Sequence, residues 1–225
     1  WCAGSLRVCS GEAARLPITA PAHRPPSESS KETGASKSPK VVVIGASTGG
    51  PPVLKAILER VPPSFPLPIV VVQHISPGFL AGLVDWLGLA AGLTVSIARN
   101  LEVPQPGQVY FAGDGRHLGL THDGALYLSD EPSEHGMRPA VSYLFRTAAE
   151  NLGRRAIGVL LTGMGRDGAL ELKQMRDAGA VTFAQDEASS VVFGMPGEAV
   201  GLEAAMHVLP TEALAEALVK LGMRG

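Results

Sequence analysis

Three residue types that together perform acyl transfer occur in this chain, each just after an apolar, strand-like run. Ser47 follows Val41-Val42-Val43-Ile44, His74 follows Ile69-Val70-Val71-Val72-Gln73, and Asp167 stands in the Gly-rich turn after Ile157-Gly158-Val159-Leu160-Leu161-Thr162. A serine hydroxyl is too weak an acid to attack a carbonyl unaided. A histidine can take its proton and return it to the leaving group. A carboxylate fixes the imidazole tautomer and stabilises the imidazolium. Ser47 also sits in Gly45-Ala46-Ser47-Thr48-Gly49, a Gly-x-Ser-x-Gly pattern that seats a serine on a sharp strand-to-helix turn. The glycines supply unusual backbone angles, and Pro51 and Pro52 suit the first turn of the following helix. The N–H groups and positive dipole end of that helix would face an oxyanion formed beside Ser47.

Each residue has a plainer reading. Ser47 would be a cap in a small βα turn, and His74 a polar strand-end residue bonded to backbone. Asp167 would be the N-cap of a helix starting near Gly168, a role compatible with orienting a histidine. The chain order Ser…His…Asp differs from the Ser…Asp…His of α/β-hydrolases, which argues against a lipase or esterase of that fold.

The elements that must position these residues alternate regularly from Lys40 onward. Strand patterns fall at 41–45, 69–73, 93–98, 157–162, 180–185 and 205–209, and helical patterns at 52–61, 77–90, 139–152, 168–178, 196–202 and 211–221. Between them lie short turn-rich pieces at 108–112, 117–121 and 125–129, with Asp123-Gly124 as a hairpin signal. The expected fold class is α/β: a doubly wound, mostly parallel sheet with helices on both faces and a small antiparallel hairpin insertion. In such sheets sites form where strand carboxyl ends meet βα loops, so Ser47, His74 and Asp167 are expected at one edge. Residues 1–39 are rich in Pro, Ser, Lys and Glu without periodicity, and read as a disordered tail or interdomain linker before a catalytic domain at 40–225.

Composition excludes several classes. A net charge of −2 with 18% charged residues leaves no basic footprint for nucleic acid. The apolar runs are far shorter than a bilayer span, and no signal-peptide core is visible in residues 1–20, so cytoplasmic residence without membrane insertion is expected. Both cysteines, Cys2 and Cys9, precede the globular part, which removes a thiol nucleophile and a cysteine-ligated metal site there. A competing motif is Gly163-Met164-Gly165-Arg166-Asp167-Gly168, a Gly-x-Gly-x-x-Gly after a strand, with Asp186 where a ribose-binding acid would sit. The objection is electrostatic, since Asp167 would repel a pyrophosphate held in that turn and Arg166 only softens the repulsion.

Gly45-Ala46-Ser47-Thr48-Gly49-Gly50-Pro51, Gln73-His74 with Pro77-Gly78-Phe79, and Leu161-Thr162-Gly163-Met164-Gly165-Arg166-Asp167-Gly168-Ala169 together resemble the catalytic domain of the chemotaxis protein-glutamate methylesterases. Arg138-Pro139-Ala140-Val141 and 184–196 extend the resemblance, which runs from about Val41 to Leu221. It implies a serine hydrolase that removes methyl groups from glutamate γ-methyl esters of methyl-accepting chemoreceptors, releases methanol and also deamidates receptor glutamines. It further implies Ser47 as nucleophile, His74 as base, Asp167 as orienting acid, the Thr48 and Met164 N–H groups as oxyanion donors, no cofactor and no metal. The family usually carries a phosphoacceptor receiver domain upstream of a linker. Departures from its pattern are Gly113 for proline, Ala140 for serine and Gly197 for a larger residue. The alternative class is a non-catalytic regulatory or receptor-binding module of the same fold.

Overall fold

The computed structural model describes residues 40–224, together with Trp1 and Gly4, so the linker-like stretch expected at 1–39 lies, but for those two, outside the described residues. The elements run β1 (Val41–Ala46), α1 (Gly50–Leu58), β2 (Ile69–Gln73), α2 (Leu80–Ala91), β3 (Thr94–Ile97), β4 (Gln108–Phe111), β5 (His117–Leu120), β6 (Leu126–Ser129), α3 (Val141–Asn151), β7 (Ala156–Leu160), α4 (Ala169–Asp177), β8 (Val181–Gln185), α5 (Met195–Gly201), β9 (His207–Leu209) and α6 (Thr211–Gly222). Seven strands form one sheet in the order β3-β4-β2-β1-β7-β8-β9, and every pairing in it is parallel. β5 and β6 pair antiparallel as a separate hairpin, turning at Asp123-Gly124.

β4 departs from the sequence-based expectation. It is one of three short pieces that looked like parts of the insertion, yet it lies between β2 and β3 in the main sheet. Its Val109, Tyr110 and Phe111 are buried, which a hairpin open to solvent would not require.

The valine runs of β1 and β2 are apolar throughout because both faces of the sheet are covered. Side chains alternate between faces along a strand. Val42, Ile44 and Val71 therefore pack with α1, α2 and α6, while Val41, Val43, Val70 and Val72 pack with α3, α4, α5 and the hairpin. α3 shows how a helix meets such a surface: Val141, Leu144, Phe145, Ala148 and Leu152 repeat at helical spacing and all are buried. Removing a large side chain from either layer, such as Ile44 or Phe145, would cost about 2–5 kcal/mol.

Chain direction reverses across β1. The chain leaves β1 through α1 to β2 on one side and returns much later as β7 on the other side. Clefts for ligands open at such switch points, beyond the strand carboxyl ends.

Candidate active site

The switch point brings the three sequence-predicted residues together. Ser47 directly follows β1, His74 directly follows β2, and Asp167 lies in the turn between β7 and α4. Backbone hydrogen bonds lock these ends to one another: Ser47 N–H donates to the Thr162 carbonyl at 3.0 Å, and His74 N–H to the Ala46 carbonyl at 2.9 Å. Gly163 makes the approach of the β7 turn possible. A Cβ there would stand 2.7 Å from Ser47 Cβ and would also meet Met195, so any side chain would push the serine turn away.

Asp167 joins two structures. Its Oδ2 lies 2.9 Å from His74 Nε2, with both side chains almost wholly buried. The ring N–H is not aligned along that contact, and Nε2 has no well-directed hydrogen bond, so the contact is chiefly electrostatic. The same carboxylate accepts Val141 N–H at 2.7 Å and Ser142 N–H at 2.8 Å, the first two N–H groups of α3. The plainer sequence reading made Asp167 the cap of its own following helix, and the structure corrects it. α4 is preceded by Gly168 in a left-handed conformation with no side-chain cap, while Asp167 closes the start of α3 instead. Burial alone would raise this carboxyl. The close contact with His74, together with hydrogen bonding from the Ser142 side chain and the Ser142 and Val141 N–H groups, outweighs it and holds Asp167 below the ordinary carboxylate value.

With Nε2 against Asp167, the ring nitrogen left for a serine is Nδ1, the reverse of the usage in chymotrypsin-like triads. Among the described residues no hydrogen bond joins Ser47 Oγ to His74. Such contacts are often long in free enzymes and close on the reacting complex.

The Thr48 and Met164 N–H groups have no acceptor among the described residues, and neither do those of the adjoining Gly49 and Gly165. Their neighbours are firmly held. The Gly163 carbonyl accepts Gly194 N–H and Met195 N–H at 3.1 and 2.9 Å, at the start of α5. A trans peptide points its N–H opposite to its C=O, so the Met164 N–H is turned away from α5. Thr162 is fully buried. Its hydroxyl donates to the Thr48 carbonyl at 3.0 Å and accepts Val192 N–H at 3.0 Å, and its own N–H donates to Gln185 Oε1 at 2.8 Å.

The site's rim includes a small cleft of about 40 Å³ beside His74, lined by Ala112, Asp114, Arg138 and Pro139 among others. Asp114 accepts Gly78 N–H, from the turn after His74, at 2.8 Å. No three His, Cys, Asp or Glu side chains gather to hold a metal ion among the described residues. The dinucleotide pattern has other uses here. Its first glycine is packed against Ser47 and Met195, and Asp186 accepts the N–H and hydroxyl of Ser189 at 3.0 and 2.6 Å within its own loop.

Sequence reasoning missed Gln73, Ser142, Thr162 and Gln185 as supports. Both glutamines are the last residues of apolar strands, and both are buried. A long polar side chain at that position was the available signal, because it must find partners in the neighbouring turns.

Comparison with known proteins identifies the family and the fold. The family described as "CheB methylesterase" matches residues 42–218. A Syntrophus aciditrophicus protein named protein-glutamate methylesterase/protein-glutamine glutaminase 1 is 50% identical over 208 residues, which are 92% of this chain and 59% of that protein. A Methanospirillum hungatei protein of the same description, numbered 2, is 54% identical over 185 residues, 82% of this chain and 53% of that protein. The chain thus spans little more than half the length of these curated relatives. The crystal structure of the Thermotoga maritima CheB methylesterase catalytic domain superposes with a TM-score of 0.78 at 41% identity, covering 82% of this chain and 99% of that one. The chain belongs to the CheB methylesterase family.

Proposed function

We propose that this chain carries a protein-glutamate methylesterase active site that hydrolyses glutamate γ-methyl esters on chemoreceptor cytoplasmic helices. The observation that carries the reading is the meeting of Ser47, His74 and Asp167 at three adjacent strand ends, two of them in contact at 2.9 Å. Ser47 Oγ attacks the ester carbonyl and His74 Nδ1 takes its proton. The tetrahedral oxyanion accepts the Thr48 and Met164 N–H groups. The C–O bond to the methoxy group breaks, and His74 returns the proton so that methanol leaves. Water then attacks the acyl-serine with the same base and releases the glutamate side chain. Asp167 remains a carboxylate throughout, holding the ring and stabilising the imidazolium. A glutamine amide reacts by the same route and releases ammonia, in keeping with the relatives' second name. Residues 40–225 form the catalytic domain of a cytoplasmic protein, and 1–39 serve as a tail or as an interdomain linker. Among the described residues, no helix is long and apolar enough to cross a membrane.

The test is methanol release from receptor membranes methylated with a labelled methyl group, with intact protein and with Ser47→Ala. Release by the intact protein and none by Ser47→Ala is expected. Receptor binding without methanol release by the intact protein would favour a non-catalytic module.

A further inference from the structure

The Thr48 N–H belongs to the peptide that begins with the Ser47 carbonyl, and that carbonyl is clamped from the far side. Gly50 N–H and the Gln73 side-chain Nε2 both donate to it at 2.8 Å. The same Nε2 donates to the His74 carbonyl, also at 2.8 Å. A planar trans peptide aims its N–H opposite to its C=O, so whatever fixes the Ser47 carbonyl also fixes where the Thr48 N–H points. We propose that Gln73 is a positioning residue for the esterase reaction: its amide clamps the Ser47 carbonyl, aims the Thr48 N–H at the developing oxyanion, and ties the nucleophile turn to the base turn. The proposal rests on the hydrolase reading given above.

Three features of Gln73 fit this role. Two carbonyl oxygens face its nitrogen, so the amide orientation is dictated by chemistry, since the flipped form would set three oxygens together. Its Oε1 is buried and has no partner among the described residues. An unpaired buried acceptor weakens a fold, and here it accompanies a nitrogen that makes two bonds at the site. The amide also leaves no room beyond it, because a Cβ on Gly50 would collide with Oε1. The Met164 N–H is aimed by backbone alone, through Gly194 and Met195, so Gln73 is the side chain on which one of the two donors depends.

The experiment compares intact protein with Gln73→Met, which keeps chain length and removes the donors. Three readouts are the steady-state hydrolysis of p-nitrophenyl acetate, the affinity of phenylboronic acid as a tetrahedral adduct of Ser47, and the NMR signal and exchange rate of the Thr48 amide. Loss of one oxyanion donor lowers kcat by about 100- to 1000-fold. Gly50 N–H still holds the carbonyl in the variant, so a fall of about 10- to 100-fold is expected. It should lie in kcat with KM within about twofold, be matched by weaker boronate binding, and come with a shifted, faster-exchanging Thr48 amide. Unchanged kcat would overturn the proposal. So would a fall in kcat that leaves boronate affinity and the Thr48 amide untouched, because that pattern is a structural defect elsewhere. Should Gln73→Met fail to fold, Gln73→Glu keeps the shape, has no N–H to give when ionised, and carries the same comparison. If the intact protein hydrolyses neither p-nitrophenyl acetate nor methylated receptors, the hydrolase reading fails. The Thr48 amide then decides the clamp alone.

Discussion

Asp167→Asn is the most discriminating substitution, because the carboxylate serves a helix and a histidine at once. Both oxygens are engaged: Oδ2 with Val141 N–H and His74 Nε2, and Oδ1 with Ser142 N–H. An asparagine has one acceptor oxygen, so in either orientation its NH₂ confronts an N–H of α3. That removes one charge-assisted hydrogen bond, about 1.5–3 kcal/mol, and the attraction of a negative charge to a helix N-terminus, about 0.3–1 kcal/mol. The sum is about 2–4 kcal/mol. At about 2–4 °C per kcal/mol for a domain of this size, the thermal midpoint should fall by about 5–15 °C. An ordinary N-cap predicts almost no change, since Asn caps about as well as Asp. When the NH₂ faces His74, Nε2 must accept, the ring proton moves to Nδ1, and that nitrogen no longer takes the serine proton. The expected loss in kcat is between about 10² and 10⁴. Because Asp167 is held below the ordinary carboxylate value, its stabilisation is complete above the unfolded value of about 4 and is lost as pH falls through the lower folded value. The difference in midpoint between intact protein and variant should therefore narrow below about pH 4. Thermal unfolding from pH 3 to 8 and ester hydrolysis at neutral pH are the assays. A midpoint within about 2 °C of the intact protein would refute the closure of α3, and an unchanged kcat would refute the orienting role.

Ser47→Ala should abolish methanol release, with kcat lower by about 10⁴-fold or more, and leave the thermal midpoint within about 2 °C, because the hydroxyl makes no hydrogen bond among the described residues. Gly163→Ala should cost about 1–3 kcal/mol in chemical denaturation and most of the activity, since its Cβ would stand 2.7 Å from Ser47 Cβ; a fully active, equally stable variant would show that the turns are looser than drawn. Hydrolysis should be indifferent to a metal chelator, and a rate abolished by chelation and restored by zinc would end the triad reading. A chain starting at Lys40 should unfold at the same temperature as the whole sequence, since the Pro-, Ser-, Lys- and Glu-rich composition of residues 1–39 offers little apolar surface to pack; a lower midpoint would show that residues 1–39 pack on the domain.

The sequence by itself determined the layered α/β fold and the placing of Ser47, His74 and Asp167 in turns that follow its strands. Both are written in local signals. Valine runs with no polar break specify strands buried on both faces, and glycine-rich turns after them specify where exposed side chains emerge. Tertiary structure decided what those signals leave open. Whether 108–111 belongs to the hairpin or the sheet depends on strand pairing across 69–71, a contact between segments far apart in the chain. That Asp167 closes α3 and not its own helix depends on the packing of Val141 at the end of β1, which brings the start of α3 to the β7 turn. The supports are of the same kind. Gln73, Thr162 and Gln185 act through carbonyl and N–H groups of other loops, and backbone groups carry no residue identity for a sequence pattern to register. Which residue does chemistry follows from its side chain, whereas how that residue is aimed follows from peptide planes that only the assembled sheet brings together.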